Sequence, residues 1–172
     1  MFVCTGNICR SPIAERLALA YSGHWDLPVL SASSAGTRAV VGHPMHEQAA
    51  LVLMGLGGNP RAFEARQLTP KIAVSADLIL TMTAAHRDRV LELVPQRLNR
   101  TFTLSEASNL VSAHRAETVA DLAVRRPRLA PDERGDIHDP IGQSVDVFEA
   151  VGVQIAELLL PVLDFCRRHV TV

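Results

Sequence analysis

Only three of the 172 residues are cysteine (Cys4, Cys9 and Cys166), too few for the disulfide framework of a small secreted domain. A reducing, cytoplasmic location is therefore expected. Lysine is rarer still: Lys71 stands against sixteen arginines, a bias to which no functional weight attaches. Neither charge sign is in excess, the formal net charge being −1, which argues against a dedicated nucleic-acid-binding protein. No apolar run reaches about 18 residues, so no membrane span is expected. With the first chemical motif starting at residue 4, no secretory leader is expected. The seven histidines (His24, His43, His46, His86, His114, His138 and His169) show no metal-ligand spacing on one helix face, and no metal or cofactor is expected. Repeats and low-complexity tracts are missing as well.

What is present reads as a globular α/β protein, 48% hydrophobic and 20% charged. The length suits one domain over 1–172, and such a chain buries roughly 70% of its unfolded surface without help from disulfides or metals. Short β-like runs alternate with amphipathic stretches, the pattern of a parallel sheet flanked by helices. Strands are expected at Met1–Cys4, Val29–Ala35, Ala76–Met82 and Arg100–Leu104. Helices are expected over about Pro12–Gly23, Pro44–Leu56, Ala84–Leu93 and Val145–Arg167. Pro161 should kink or shorten the last of them. The segment 112–136 mixes five arginines with five acidic residues and two prolines, and is expected to be a solvated helix followed by a mobile loop, or a docking surface. Met1 leaves only three residues for a first strand in mid-sheet, which leaves open a short strand or a start upstream of Met1.

The most informative stretch is Cys4-Thr5-Gly6-Asn7-Ile8-Cys9-Arg10-Ser11. It lies between the first strand and the first helix, where a loop aims successive backbone N–H groups at one spot and the helix dipole favours negative charge. A tetrahedral oxyanion held there sits above a cysteine. The thiolate is the nucleophilic form, and a helix N-terminus and a nearby cation both favour it. Arg10 offers a planar fork matched to two phosphate oxygens. The Ser11 hydroxyl can reach the Cys4 sulfur, Gly6 leaves room for close approach, and Asn7 tolerates a left-handed backbone. The loop residues Thr5, Gly6, Asn7, Ile8, Cys9 and Ser11 are thus the substrate-binding set around Cys4 and Arg10. The competing reading, an inert buried thiol at a strand end, leaves Arg10 and the glycine unexplained.

Val3 to Glu15 resembles the phosphate-binding loop of low-molecular-weight protein tyrosine phosphatases. The resemblance continues through Ser34-Ala35-Gly36-Thr37, Ala65-Arg66-Gln67-Leu68-Thr69, Ala76 to Met82, and Asp139-Pro140 with the helix that follows. It covers most of the chain, least well at 112–136. It implies a three-layer α/β/α fold with a four-stranded parallel sheet, a phosphorylated protein substrate, and a cysteinyl-phosphate intermediate on Cys4. Asp139 then matches the family's general acid, with Asp136 the competing carboxylate and Asp139-Pro140 as a plain turn the alternative. Ser34 is expected to hydrogen-bond Asn7. Cys9 is either a loop-packing residue or, as in the family, a reversible disulfide partner that protects Cys4.

The chain departs from this pattern where aromatics are scarce. Residues corresponding to the family's aromatic pocket rim are Val40 and Ile141, and the single tyrosine, Tyr21, lies in the first helix. Phe63 is read as a core residue or a replacement rim aromatic. Ile8 stands where members acting on phosphoarginine carry threonine, which favours phosphotyrosine. The related arsenate reductases need cysteines near residues 80–90, and none is present. Two functions follow: a metal-independent phosphomonoester hydrolase for phosphotyrosine or another phospho-residue such as phosphoarginine, or a phosphate- or phosphoprotein-binding module with weak turnover.

Overall fold

The computed structural model describes residues 1–24 and 31–170. β1 (Phe2–Cys4), β2 (Ser34–Gly36), β3 (Ile79–Thr81) and β4 (Thr101–Thr103) form one parallel sheet in the order β2-β1-β3-β4. β1, β3 and β4 lie inside expected strands, trimmed to three residues, whereas β2 runs one residue past the expected end at Ala35; Val29 and Leu30, the expected start of the second, fall outside the described residues.

Alternation along the strands sorts two cores. Phe2, Cys4, Leu80 and Phe102 join Ile13 and Leu17 of α1 (Arg10–His24), Leu53 of α2 (Glu47–Gly55), and Ile155 and Leu159 of the last helix. Val3, Ala35 and Ile79 face the other way, onto Ala73 of α3 (Pro70–Val74) and Val90 of α4 (Ala84–Leu93). Helices therefore cover both faces, giving the expected three layers. The chain leaves β1 for β2 on one side and returns to β3 on the other. The loop after β1 thus opens at the carboxyl end of the sheet where strand order reverses, the usual ligand crevice of such sheets.

Three local outcomes differ from the sequence expectation. The expected fourth strand ends early because Thr103 caps α5 (Leu104–Ser112): its hydroxyl accepts the Glu106 N–H at 3.0 Å, and the Glu106 carboxylate accepts the Thr103 N–H at 2.9 Å. The last helix, α7 (Val145–Val170), runs on through Pro161, held by buried Leu159, Val162, Leu163 and Phe165 on either side of the lost hydrogen bond. The segment 112–136 holds α6 (Val119–Arg125) and two 3-10 turns, and it is anchored more than solvated. Leu122 and Leu129 are buried, and Arg126 lies 4.0 Å over the Phe102 ring while donating to the Thr101 carbonyl.

Candidate active site

Cys4 closes β1 and Arg10 opens α1, so the five residues between them carry the chain from strand to helix. The loop's carbonyls face outward. Those of Cys4, Thr5 and Gly6 accept the N–H groups of Thr37, Arg38 and Val40 at 2.9–3.0 Å, and that of Ile8 accepts from His46 at 2.8 Å. Among the described residues, no backbone N–H from Thr5 to Arg10 has an acceptor. Buried peptide N–H groups rarely stay orphaned, so a row of them is a site for an anion.

Asn7 holds this shape, with φ at +56°. Its buried amide donates to Ser11 Oγ at 2.9 Å and to Ser34 Oγ at 2.8 Å, and accepts the Arg66 N–H at 2.8 Å. Ser34 in turn donates to Glu15 at 2.6 Å. Because Ser11 Oγ already accepts from Asn7, its own hydrogen is available to Cys4 Sγ, 3.0 Å away. The expected Ser34–Asn7 and Ser11–Cys4 contacts are both present.

Arg10 is 4% exposed; it donates to the Ile137 carbonyl at 3.0 Å and to Asp139 Oδ2 at 2.5 Å. Its Nε is buried with no partner, a donor that a bound oxyanion would satisfy. Asp139 is 48% exposed and lines the pocket. Asp136, its sequence rival, is spent elsewhere, accepting the Ala84 N–H at 2.7 Å at the start of α4. The two carboxylates are separated by Ile137, whose N–H is pinned to the Met82 carbonyl at 2.9 Å.

These groups surround an open pocket of about 430 Å³, whose floor and walls include Cys4, Cys9, Arg10 and Asp139 with Ile8, Val40 and Ile141. The two non-aromatic rim residues inferred from sequence are thus in place. Phe63 is not: it is buried in the core with Arg16 over its ring. A Cβ at Gly6 would meet only Ile8 and Val40 at ordinary contact distances, so any need for glycine there lies with the pocket's occupant. Burial, with Cys4 next to it, pushes the Cys9 thiol up to about 12 and keeps it protonated.

Sequence reasoning missed three participants. Arg38 lines the pocket, but nothing in its neighbourhood distinguishes it from fifteen other arginines. Gly36 lets two loops touch: a Cβ there would lie 2.4 Å from the Thr5 carbonyl oxygen. His86, dismissed above as one of seven scattered histidines, contacts the cradle through Thr5 Oγ1 at 2.8 Å. Burial, reinforced by the Arg10 charge, lowers its pKa to about 4.

Fold and site together define a class of α/β proteins in which a strand, a loop of inward N–H groups and a helix N-terminus present an anion to a cysteine. Comparison with known proteins narrows this. Residues 1–121 match the family model for low molecular weight phosphotyrosine protein phosphatases. The low molecular weight protein-tyrosine-phosphatase Etp of Escherichia coli K12 is 37% identical over 106 residues, 62% of this chain and 68% of that protein. A protein-arginine-phosphatase of Geobacillus stearothermophilus is 30% identical over 159 residues, 92% of this chain and 89% of that one. The crystal structure of a low molecular weight protein tyrosine phosphatase from T. tengcongensis superposes with a TM-score of 0.76 at 28% identity, covering 95% of each chain. The chain belongs to the low molecular weight protein-tyrosine phosphatase family.

Proposed function

We propose that this protein hydrolyses phosphotyrosine on protein substrates through a cysteinyl-phosphate on Cys4. The observation that carries the reading is the convergence of Cys4 Sγ, the unpaired Thr5–Arg10 N–H groups, Arg10 and Asp139 on one pocket. The cradle N–H groups and the Arg10 fork bind the three phosphoryl oxygens, and their charge is matched best as negative charge spreads over those oxygens in the transition state. The Cys4 sulfur attacks phosphorus as the P–O bond to the leaving group breaks, and Asp139 gives its proton to the departing oxygen. In the second step Asp139 takes a proton from water, the water oxygen bonds to phosphorus, and the S–P bond breaks to return thiolate and phosphate. Ser11, donating to the sulfur, stabilises it as leaving group. Thr5, Gly6, Asn7, Ile8 and Cys9 shape the cradle, and Cys9, held protonated by burial, does not compete as nucleophile.

Asp139 reaches Arg10 in the structure, so binding of a phosphoryl dianion exchanges one carboxylate partner of Arg10 for another anion and frees Asp139 for the leaving group. Apolar walls (Ile8, Val40 and Ile141) with Arg38 beside them suit a neutral aryl ester. They suit a positively charged guanidino group poorly, and this weighs against phosphoarginine despite the kinship to an arginine phosphatase. No helix among the described residues is long and apolar enough to cross a membrane, and a cytoplasmic site of action fits the free thiols.

The test compares a phosphotyrosyl peptide, a phosphoarginyl peptide and a small aryl phosphate, with chelator present. The aryl substrates should be hydrolysed, Cys4→Ser should be inactive, and Asp139→Asn should lose about 10²- to 10⁴-fold while Asp136→Asn stays active. Full activity in Cys4→Ser would end the covalent mechanism, and a preference for phosphoarginine would end the assignment of substrate.

A further inference from the structure

His86 lies in the first turn of α4, across the sheet's carboxyl end from the cradle, and both its ring nitrogens are engaged although the ring is 8% exposed. Nδ1 is 2.8 Å from Thr83 Oγ1, and Nε2 is 2.8 Å from Thr5 Oγ1. Thr5 is the first residue after Cys4 and lines the pocket. Thr83 Oγ1 also accepts the His86 backbone N–H at 3.1 Å as the cap of α4, which leaves the Thr83 hydroxyl hydrogen free to be given away.

We infer that this chain of hydrogen bonds runs one way: Thr83 O–H donates to His86 Nδ1, His86 Nε2–H donates to Thr5 Oγ1, and the Thr5 hydroxyl hydrogen is thereby turned toward the phosphoryl group. His86 is then a positioning residue and Thr5 a side-chain donor to substrate, a role that rests on the reading of the pocket as a phosphoryl site. The opposite polarity spends the single Thr5 hydroxyl hydrogen on His86. It presents an oxygen lone pair to the anion in a cradle otherwise made of donors, an arrangement that costs electrostatically in a partly buried site.

A single tautomer can hold this polarity only if the ring stays neutral. Burial and the Arg10 charge oppose protonation, and the opposing pull of Asp139 and Asp136 is weaker, so the ring is uncharged through the neutral range. The contact joins residues 81 positions apart, so local sequence gave no hint of it.

The direct test reads the tautomer in the wild-type protein. Nitrogen-15 NMR of His86 with vanadate bound should show Nε2 protonated and Nδ1 bare; the reverse tautomer would overturn the inference. Kinetics supplies the second arm with an aryl phosphate. Thr5→Val and His86→Phe should each lower kcat by about 10- to 100-fold, as expected for loss of one transition-state donor. The double variant should be no worse than either, Thr5→Ser should retain activity, and His86→Gln should recover part of the loss by restoring a donor. Losses that multiply in the double variant would mean that His86 does not act through Thr5. A wild-type protein that neither hydrolyses the ester nor binds vanadate would remove the phosphoryl reading itself, a failure distinguishable from a wrong tautomer.

Discussion

Replacing Asn7 with Ala tests whether the cradle is held by the network described above. The buried Asn7 amide makes three hydrogen bonds, to Ser11, Ser34 and the Arg66 N–H, at 2.8–2.9 Å. Losing the two donations costs about 1 kcal/mol each, and leaving the Arg66 N–H without its acceptor costs about 1–3 kcal/mol. Alanine at φ +56° adds about 1 kcal/mol of backbone strain. The total is about 4–6 kcal/mol, a large part of the roughly 5–15 kcal/mol available to a typical domain. Denaturant unfolding followed by circular dichroism measures it. Asn7→Gly is the internal control: it removes the same hydrogen bonds without the strain and should be about 1 kcal/mol more stable than Asn7→Ala. Asn7→Asp should not rescue, because Ser34 gives its hydrogen to Glu15 and would face a carboxylate oxygen with only a lone pair. Turnover should fall in all three, since Ser11 loses the donor that directs its hydrogen to Cys4. An Asn7→Ala protein within about 1 kcal/mol of wild type, with unchanged kcat, would mean that this network does not hold the cradle.

Other perturbations follow from the same contacts. His86 is held at about 4, while an unfolded imidazole takes its proton near 6.5; the unfolded state therefore binds more protons between these values, and stability falls as pH drops through that window. Going from pH 7 to 5 should cost the wild type about 1–2 kcal/mol more than His86→Gln, after allowance for solvent near the ring, and equal losses in denaturant titrations would contradict this. Gly36→Ala forces its Cβ against the Thr5 carbonyl oxygen, 2.4 Å away, and should destabilise by about 1–3 kcal/mol while lowering kcat/KM at least tenfold; a variant of normal activity would show that the two loops have slack. Cys9→Ser should keep kcat within about threefold of wild type, because burial leaves the native thiol protonated and catalytically idle at neutral pH; loss on the scale of Cys4→Ser would contradict that.

Much of the fold was legible because its elements announce themselves locally. The helix expected over Ala84–Leu93, just before Pro95, has those bounds. The run Arg100–Leu104 shows itself as a strand through its β-branched and aromatic residues, and β4 forms there, ended one residue early by the Thr103–Glu106 capping box. The anchoring of Arg126 on Phe102 was hidden because an arginine among charges reads as solvated until its aromatic partner, 24 positions away, is in place. In the site, Cys4, Asn7, Arg10 and Ser11 were legible because a single loop carries them. Asp139 was preferred to Asp136 only through its match to the family's Asp-Pro pair; that the Ala84 N–H engages Asp136 had no sign in the local sequence. Arg38 reaches the pocket, and His86 reaches the cradle through the Thr5 hydroxyl, from other parts of the chain, and neither carries a local sign of it.

In the proposed reaction Cys4 carries the phosphoryl group. Rapid quench of Asp139→Ala with an aryl phosphate, followed by peptide mass spectrometry under acidic conditions, tests it directly. An activated aryl ester needs little help with its leaving group, whereas hydrolysis of the intermediate needs Asp139 as base, so the intermediate should accumulate. One phosphoryl adduct is expected, on the peptide containing Cys4, absent from Cys4→Ser/Asp139→Ala and retained in Cys9→Ser/Asp139→Ala. Steady turnover with no adduct, or an adduct on a residue other than Cys4, would contradict it.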